Sequence, residues 1–297
     1  MAAPLSTFSS DTYVPILKAK QAELDALQTA PPERLVPLLE VAKMEATADM
    51  LSKAWPHADD VVWVHCVNLQ GETEYDFAGR IFSLFQALAS RTKAVPVVTE
   101  TETQEVLEAV RQVIARDSRG VVLRLDVEDI VDPDADTSGN IAATLDALGV
   151  VEAHVDLLVD CGLLREEAPA ILAAVAARAL SSLPNLGMWR NVAVAFSAFP
   201  QVVGDVVAKD SVGVLPRYDA AAFVALQSDA EREVIYSDYA VGLPSYGNAP
   251  FAPIPNIKYA TDREWRVHRA HSKTGPSPQY RALANPDLPR QGWMIGA

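Results

Sequence analysis

Charged side chains close one apolar segment after another in this sequence. Lys18 and Lys20 end the run YVPILKAK, and Glu40 ends LVPLLEV. His65 stands near the end of VVWVHC with Asn68 just beyond, and Thr99 and Glu100 follow AVPVV. Arg124 and Asp126 lie in GVVLRLD, Asp160 ends VDLLVD, Ser197 ends NVAVAFS, and Asp238 and Tyr239 follow VIYS. A charge inside an apolar strand is costly unless it meets a partner or faces a wet cavity. Strand side chains alternate between faces, so Lys18 shares a face with Lys20, and Arg124 with Asp126. Lys18, Lys20 and Arg124 suit the anionic oxygens of a small or phosphorylated substrate, and Tyr239 and Arg269 join them as substrate-binding candidates. Glu40, Asp160 and Asp238 suit acid–base catalysis, or the holding of a hard divalent cation such as magnesium or manganese. Taken singly, each pairing has an equally good structural reading as an internal ion pair, Lys20 with Glu40 or Arg124 with Asp126 or Asp160. The collective pattern favours a site, because perturbed charges accumulate where function needs them. His65 reads as a satisfied rim histidine, and Cys66 and Cys161 as small buried hydrophobes.

Other chemistries lack their signatures. No GxSxG elbow, phosphate-binding loop or dinucleotide fingerprint occurs. His and Cys show no zinc spacing. The stretch Asp132–Asn140 superficially resembles a calcium loop, but its twelfth position is Ala143 where a Glu is required. It reads as a solvated loop with a helix N-cap at Ser138. A Lys on a first barrel strand also suits a pyridoxal phosphate Schiff base, but no glycine-rich phosphate loop accompanies Lys18 or Lys20.

The elements that must position these residues form a repeating unit. Eight apolar runs start at residues 13, 35, 61, 94, 120, 155, 191 and 234, spaced 22 to 43 residues apart, which suits one strand plus one helix per unit. Near-continuous Val, Ile and Leu runs are what a parallel sheet covered on both faces demands. Helices are expected at 21–28, 45–54, 75–89, 103–116, 140–148 and 166–183. In the third of these Phe77, Ile81, Leu84, Phe85 and Leu88 make one stripe. Eight such units predict a (β/α)8 barrel with its site at the carboxyl ends of the strands. Asn256–Ala260 and Trp265–Arg269, separated by a polar turn, predict an antiparallel hairpin. Residues 1–242 thus read as the barrel, and 243–297 as a loop, hairpin and tail packed on it.

Composition narrows the partners. The 297 residues carry 25 Lys and Arg against 39 Asp and Glu, a formal charge of −14. Such a chain is repelled by phosphate backbones, which argues against non-specific nucleic-acid binding. With 49% hydrophobic residues, disorder is excluded. Two cysteines suit a reducing compartment. The start shows no cationic and apolar leader pattern, and Ala168–Leu180 is interrupted by Arg178 and too short to span a bilayer. The expectation is a cytoplasmic protein without a membrane segment, its partner a small molecule or another protein.

Several short motifs, in order, resemble the beta-protein family of tailed phages and bacterial genomes. They are Pro15, Lys18, Lys20, Ala22, Glu23 and Ala26-Leu27; Pro37 with Glu40; Arg124; Asp160; Asp238, Tyr239 and Pro244; and Tyr259, Trp265 and Arg269 in IKYATDREWRVHR. The family more often has Gly at the positions of Ala22 and Ala270. The resemblance spans about residues 13 to 283 and assigns no biochemical activity. Its genomic company implies a role in phage–host conflict, either as an enzyme or as a non-catalytic component of a defence module.

Overall fold

The computed structural model describes residues 5–43, 47–163, 168–245 and 254–284. Eight parallel strands close into a barrel: β1 (Tyr13–Lys18), β2 (Leu38–Val41), β3 (Val61–Cys66), β4 (Lys93–Thr99), β5 (Val121–Asp126), β6 (Val155–Leu163), β7 (Asn191–Ser197) and β9 (Ile235–Asp238). Between β7 and β9 runs a further strand, β8 (Ser211–Pro216), which stays outside the barrel. Each of the eight runs read from the sequence supplies one barrel strand. The fold is the expected (β/α)8 barrel.

Alternation along the strands sorts the apolar residues into two layers. Leu38, Trp63, Val97, Val122, Leu158 and Ala195 point inward and form one cluster. Leu39, Val64, Val98, Leu123, Leu157 and Val194 point outward into a second cluster with the helices. The helix Glu74–Leu88 is capped by Thr73, whose hydroxyl accepts from the Asp76 N–H, and buries the stripe Phe77, Ile81, Leu84, Phe85 and Leu88 against the wall. The helix Gln104–Asp117 likewise starts from its Thr103 cap.

The bottom of the barrel is closed by the chain's own start. Leu5 and Phe8 pack under the inner cluster, and the Phe8 N–H donates to Asn191 Oδ1 at 2.8 Å. There Asp156 is fully buried and takes two hydrogen bonds from Arg190, each 2.7 Å, and one from Asn191. The carboxyl ends of the strands lie at the opposite end.

Four local expectations need correction. β1 ends at Lys18, where Tyr13–Lys20 was expected. The Lys20 N–H turns back to the Lys18 carbonyl at 2.6 Å, and Lys20 becomes the N-cap residue of the helix Gln21–Leu27. The helix Thr137–Leu148 starts earlier than expected. Its cap is Asp136, whose carboxylate accepts from the Gly139 N–H at 3.0 Å, in place of Ser138. The helix Tyr218–Asp229 and the strand β8 were not foreseen. The expected helix starts at Glu45 and Glu166 lie outside the described residues, and those two helices run Thr47–Ala54 and Pro169–Ser182.

The predicted hairpin forms from β10 (Asn256–Ala260) and β11 (Glu264–Arg269). It does not stand alone, because β11 also pairs antiparallel with β8, giving the sheet order β10-β11-β8. Gly213 of β8 is required by close packing, since a Cβ there would lie 2.4 Å from Val207 Cγ2. The small sheet thus draws a strand from the insertion between β7 and β9. The 43-residue interval before the last run, the longest of the seven, was its trace in the sequence.

Candidate functional site

Register determines which side chains meet at the mouth. Lys18, Glu40 and His65 stand level on β1, β2 and β3. Thr99 is level with Arg124, and Asp126 with Asp160, on β4, β5 and β6. All seven fall on the inward parity, because Ile16, Leu38, Trp63, Val97, Val122 and Leu158, two residues before six of them, belong to the inner cluster, and Asp126 lies two residues after Arg124. Tyr239, directly after β9, joins the same inner set.

Arg124 organises the group. Its Nη1 donates to Glu40 Oε1 at 2.8 Å and to His65 Nδ1 at 3.0 Å. Its Nε and Nη2 donate to Asp160 Oδ2 at 3.0 and 2.7 Å, and Nη2 also reaches the Tyr239 hydroxyl oxygen at 2.6 Å. The Tyr239 hydroxyl in turn donates to Asp160 Oδ2. A guanidinium has five N–H donors. All five are engaged within the protein, so Arg124 is not available to clamp a substrate anion as the sequence suggested.

The electrostatics follow from this geometry. Burial opposes the charge on Arg124, but Asp160, Tyr239 and Glu40 together hold its pKa above the usual value. Arginine can only donate, so His65 Nδ1 accepts and its proton sits on Nε2. Burial first, and then the adjacent guanidinium, push the His65 pKa down to about 3, and the ring is neutral. Burial and the Asp160 charge raise the Tyr239 hydroxyl well above its ordinary range. Lys18 is lowered by burial, partly offset by Glu40, and its ammonium donates to the Ser245 carbonyl.

The other candidates lie elsewhere. Lys20 is exposed beyond β1, so the partner of Glu40 across the first two strands is Lys18 and not Lys20. Asp238 has the opposite parity to Tyr239 and points out of the barrel. There it accepts from Arg217 at 3.0 Å, from the Tyr236 hydroxyl at 2.8 Å, from the Ala240 N–H at 2.8 Å and from the Tyr13 hydroxyl. Arg217 also pairs with Asp219, donates to the Thr261 carbonyl and lies 5.4 Å over the Trp265 ring, which ties the small sheet to the barrel wall. Asp238 therefore belongs to a buried tie beneath that sheet. Arg269 sits on β11 and donates to the carbonyls of Gly204 and Val207, away from the mouth.

The mouth does not fit the divalent cation considered from the sequence. Among the described residues no three His, Cys, Asp or Glu are grouped to hold a metal ion. The two carboxylates that do meet, Glu40 and Asp160, both face the Arg124 guanidinium. Cys66 is buried, and its thiol is pushed up to about 12 by burial, which makes it inert.

Glu23, named in the sequence only among the family motifs, was not put forward as a site residue. It lies in the first turn of the helix that follows β1, and burial raises its pKa against the opposing pull of Lys20 and Lys18. Its signal was its place three residues after Lys20, on the loop side of the first strand.

Among the described residues no helix is long and apolar enough to cross a membrane. No curated protein matches the sequence. Three solved barrel enzymes are similar in structure. Triosephosphate isomerase from Bartonella henselae has 12% identity and a TM-score of 0.39, over 76% of this chain and 92% of that one. The type I 3-dehydroquinate dehydratase from Clostridium difficile has 9% identity and a TM-score of 0.44, over 79% and 85%. Alanine racemase from Clostridium difficile 630 has 10% identity and a TM-score of 0.40, over 88% and 76%. Nothing about activity passes across likenesses this remote, and the fold stands on the closed strand order itself. The sequence model described as Beta protein matches residues 13–289, nearly the whole chain, so the protein belongs to the Beta protein family.

Proposed function

We propose that the mouth of the barrel is a binding and acid–base site for a small polar molecule, with Glu40 as its reactive carboxylate and Lys18 beside it. One observation carries the reading. Glu40 is only 3% exposed, yet its Oε2 accepts no hydrogen bond among the described residues while Oε1 is held by Arg124. Buried polar atoms are satisfied in the great majority of cases, and an orphan at a barrel mouth is where a ligand or a water belongs. Arg124, held by Asp160 and Tyr239, fixes the carboxylate in place, and Lys18, with its lowered pKa, is a proton carrier in register with it. A phosphorylated substrate is less well served than the sequence implied, because the donors of Arg124 are already engaged.

A second reading is favoured by the same network. Arg124 and its two carboxylates neutralise one another, as in a scaffold that recognises a partner without turnover. On that reading the chain is a non-catalytic component of an anti-phage defence module. A thermal-shift screen of the full-length chain against polar metabolites, repeated on Glu40→Gln, separates the two. A compound that raises the melting temperature of the wild type, not of the variant, and is converted on incubation supports the site. A Glu40-dependent compound that stays unconverted moves the reading to recognition without turnover. If no compound depends on Glu40, the mouth is a structural plug.

A further inference from the structure

The buried guanidinium groups of Arg124, Arg190 and Arg217 each meet a carboxylate. The amine of Lys258 is placed differently. It is half-buried on β10, donates to the Val241 carbonyl at 2.9 Å and lies 4.0 Å from the centre of the Phe199 ring. Among the described residues no neighbouring charge acts on it, and burial alone lowers its pKa to about 8. In register it stands opposite Val267, so both side chains face the apolar cluster of Phe199, Val207, Trp265 and Val267 under the small sheet. Phe199 and Val241 closely follow the carboxyl ends of β7 and β9, which are neighbours in the ring. The small sheet thus delivers one amine, without a counter-ion, to the mouth end of the barrel.

An ammonium against an apolar cluster is costly when no carboxylate pairs with it, so this position favours the neutral amine. A neutral amine is a nucleophile, and desolvation beside apolar groups is what prepares a lysine for imine formation. A free anion is a poorer match. Anions are held by several donors or by a guanidinium fork, and among the described residues no second cation acts on Lys258. The ring of Phe199 and the side chain of Val267 favour an apolar substituent on the reacting molecule.

We propose that Lys258 is a covalent site for a small apolar aldehyde, sharing no residue with the Glu40 and Arg124 network. The Nζ lone pair adds to the carbonyl carbon, the C–O bond breaks, and the oxygen leaves as water with both amine protons, which leaves a C=N bond. Incubating the full-length chain with propionaldehyde and cyanoborohydride at about pH 7, followed by peptide mass spectrometry, tests this. The hydride of the reagent converts the imine to a stable secondary amine. Lys258 should be alkylated at least about tenfold faster than the exposed Lys209, because an amine with a pKa of about 8 is free in far larger part at that pH than a lysine at the usual value of about 10.4. The rate at Lys258 should saturate with propionaldehyde, and its preference should vanish in concentrated urea. Labelling no faster than at Lys209, a rate that never saturates, or a preference that survives urea overturns the site. Faster labelling of Lys258 by glyoxylate than by propionaldehyde overturns the apolar class. Each lysine is read on the wild type, so no variant has to fold.

Discussion

Glu40 and Arg124 are 84 residues apart in sequence and sit on strands that are not neighbours, yet their side chains meet at 2.8 Å. The contact spans the barrel mouth from β2 to β5. On the far side Arg124 holds Asp160 of the adjacent strand, and with His65 on β3 one guanidinium links four strands of the ring.

Removing Arg124 should therefore be expensive. Arg124→Ala would leave Glu40 and Asp160 as buried, unpaired carboxylates, and breaking a buried pair from one side costs about 3–5 kcal/mol. Urea unfolding of the full chain measures this. A loss within about 1 kcal/mol would show that the network is well hydrated and weak.

Tyr239 is a milder test of the same network. Tyr239→Phe removes the hydroxyl that accepts from Arg124 and donates to Asp160, at an expected cost of about 1–3 kcal/mol. Asp238→Asn, one residue away but facing outward, should cost a similar amount through Arg217 and Tyr13. Only Tyr239→Phe should also alter Glu40-dependent ligand binding. Equal effects of the two on binding would refute the assignment of Asp238 to the outer layer.

His65 predicts a pH dependence. Its pKa is about 3 in the folded chain against 6.5 unfolded, so the unfolded state takes up a proton first as pH falls. The contribution of neutral His65 is complete above pH 6.5 and is lost as pH falls from there towards 3. His65→Asn keeps an acceptor for Arg124 but does not titrate. Relative to that variant, the wild type should lose about 1.4 kcal/mol per pH unit below about pH 6. Parallel stability curves for the two proteins would show that His65 is not held neutral.

Phe85 tests the barrel wall. It is 1% exposed on the stripe of the helix Glu74–Leu88, and Phe85→Ala should cost about 3–5 kcal/mol in urea melts.

The barrel itself was legible in the linear sequence. Strands covered on both faces must be apolar at nearly every position, so VVWVHC, GVVLRLD and NVAVAFS stood out, and their spacing left room for one helix each. The charged strand ends were legible for the converse reason, because Glu40, Arg124 and Asp160 interrupt runs where a charge is costly. Strand β8 escaped notice because only every second side chain is covered: Gly213 and Leu215 face in, while Val212 and Val214 are more than half exposed. What the tertiary structure alone decided was parity and closure. A shift of one residue turns a strand side chain from one face to the other, so Tyr239 enters the mouth while Asp238 leaves it. The early turn at Lys18 made Lys18, not Lys20, the neighbour of Glu40, and put Glu23 in the first turn of the helix that follows. Closure of the ring then brought Arg124 to Glu40, a contact between non-adjacent strands that no local pattern encodes, because it depends on where all eight strands sit at once.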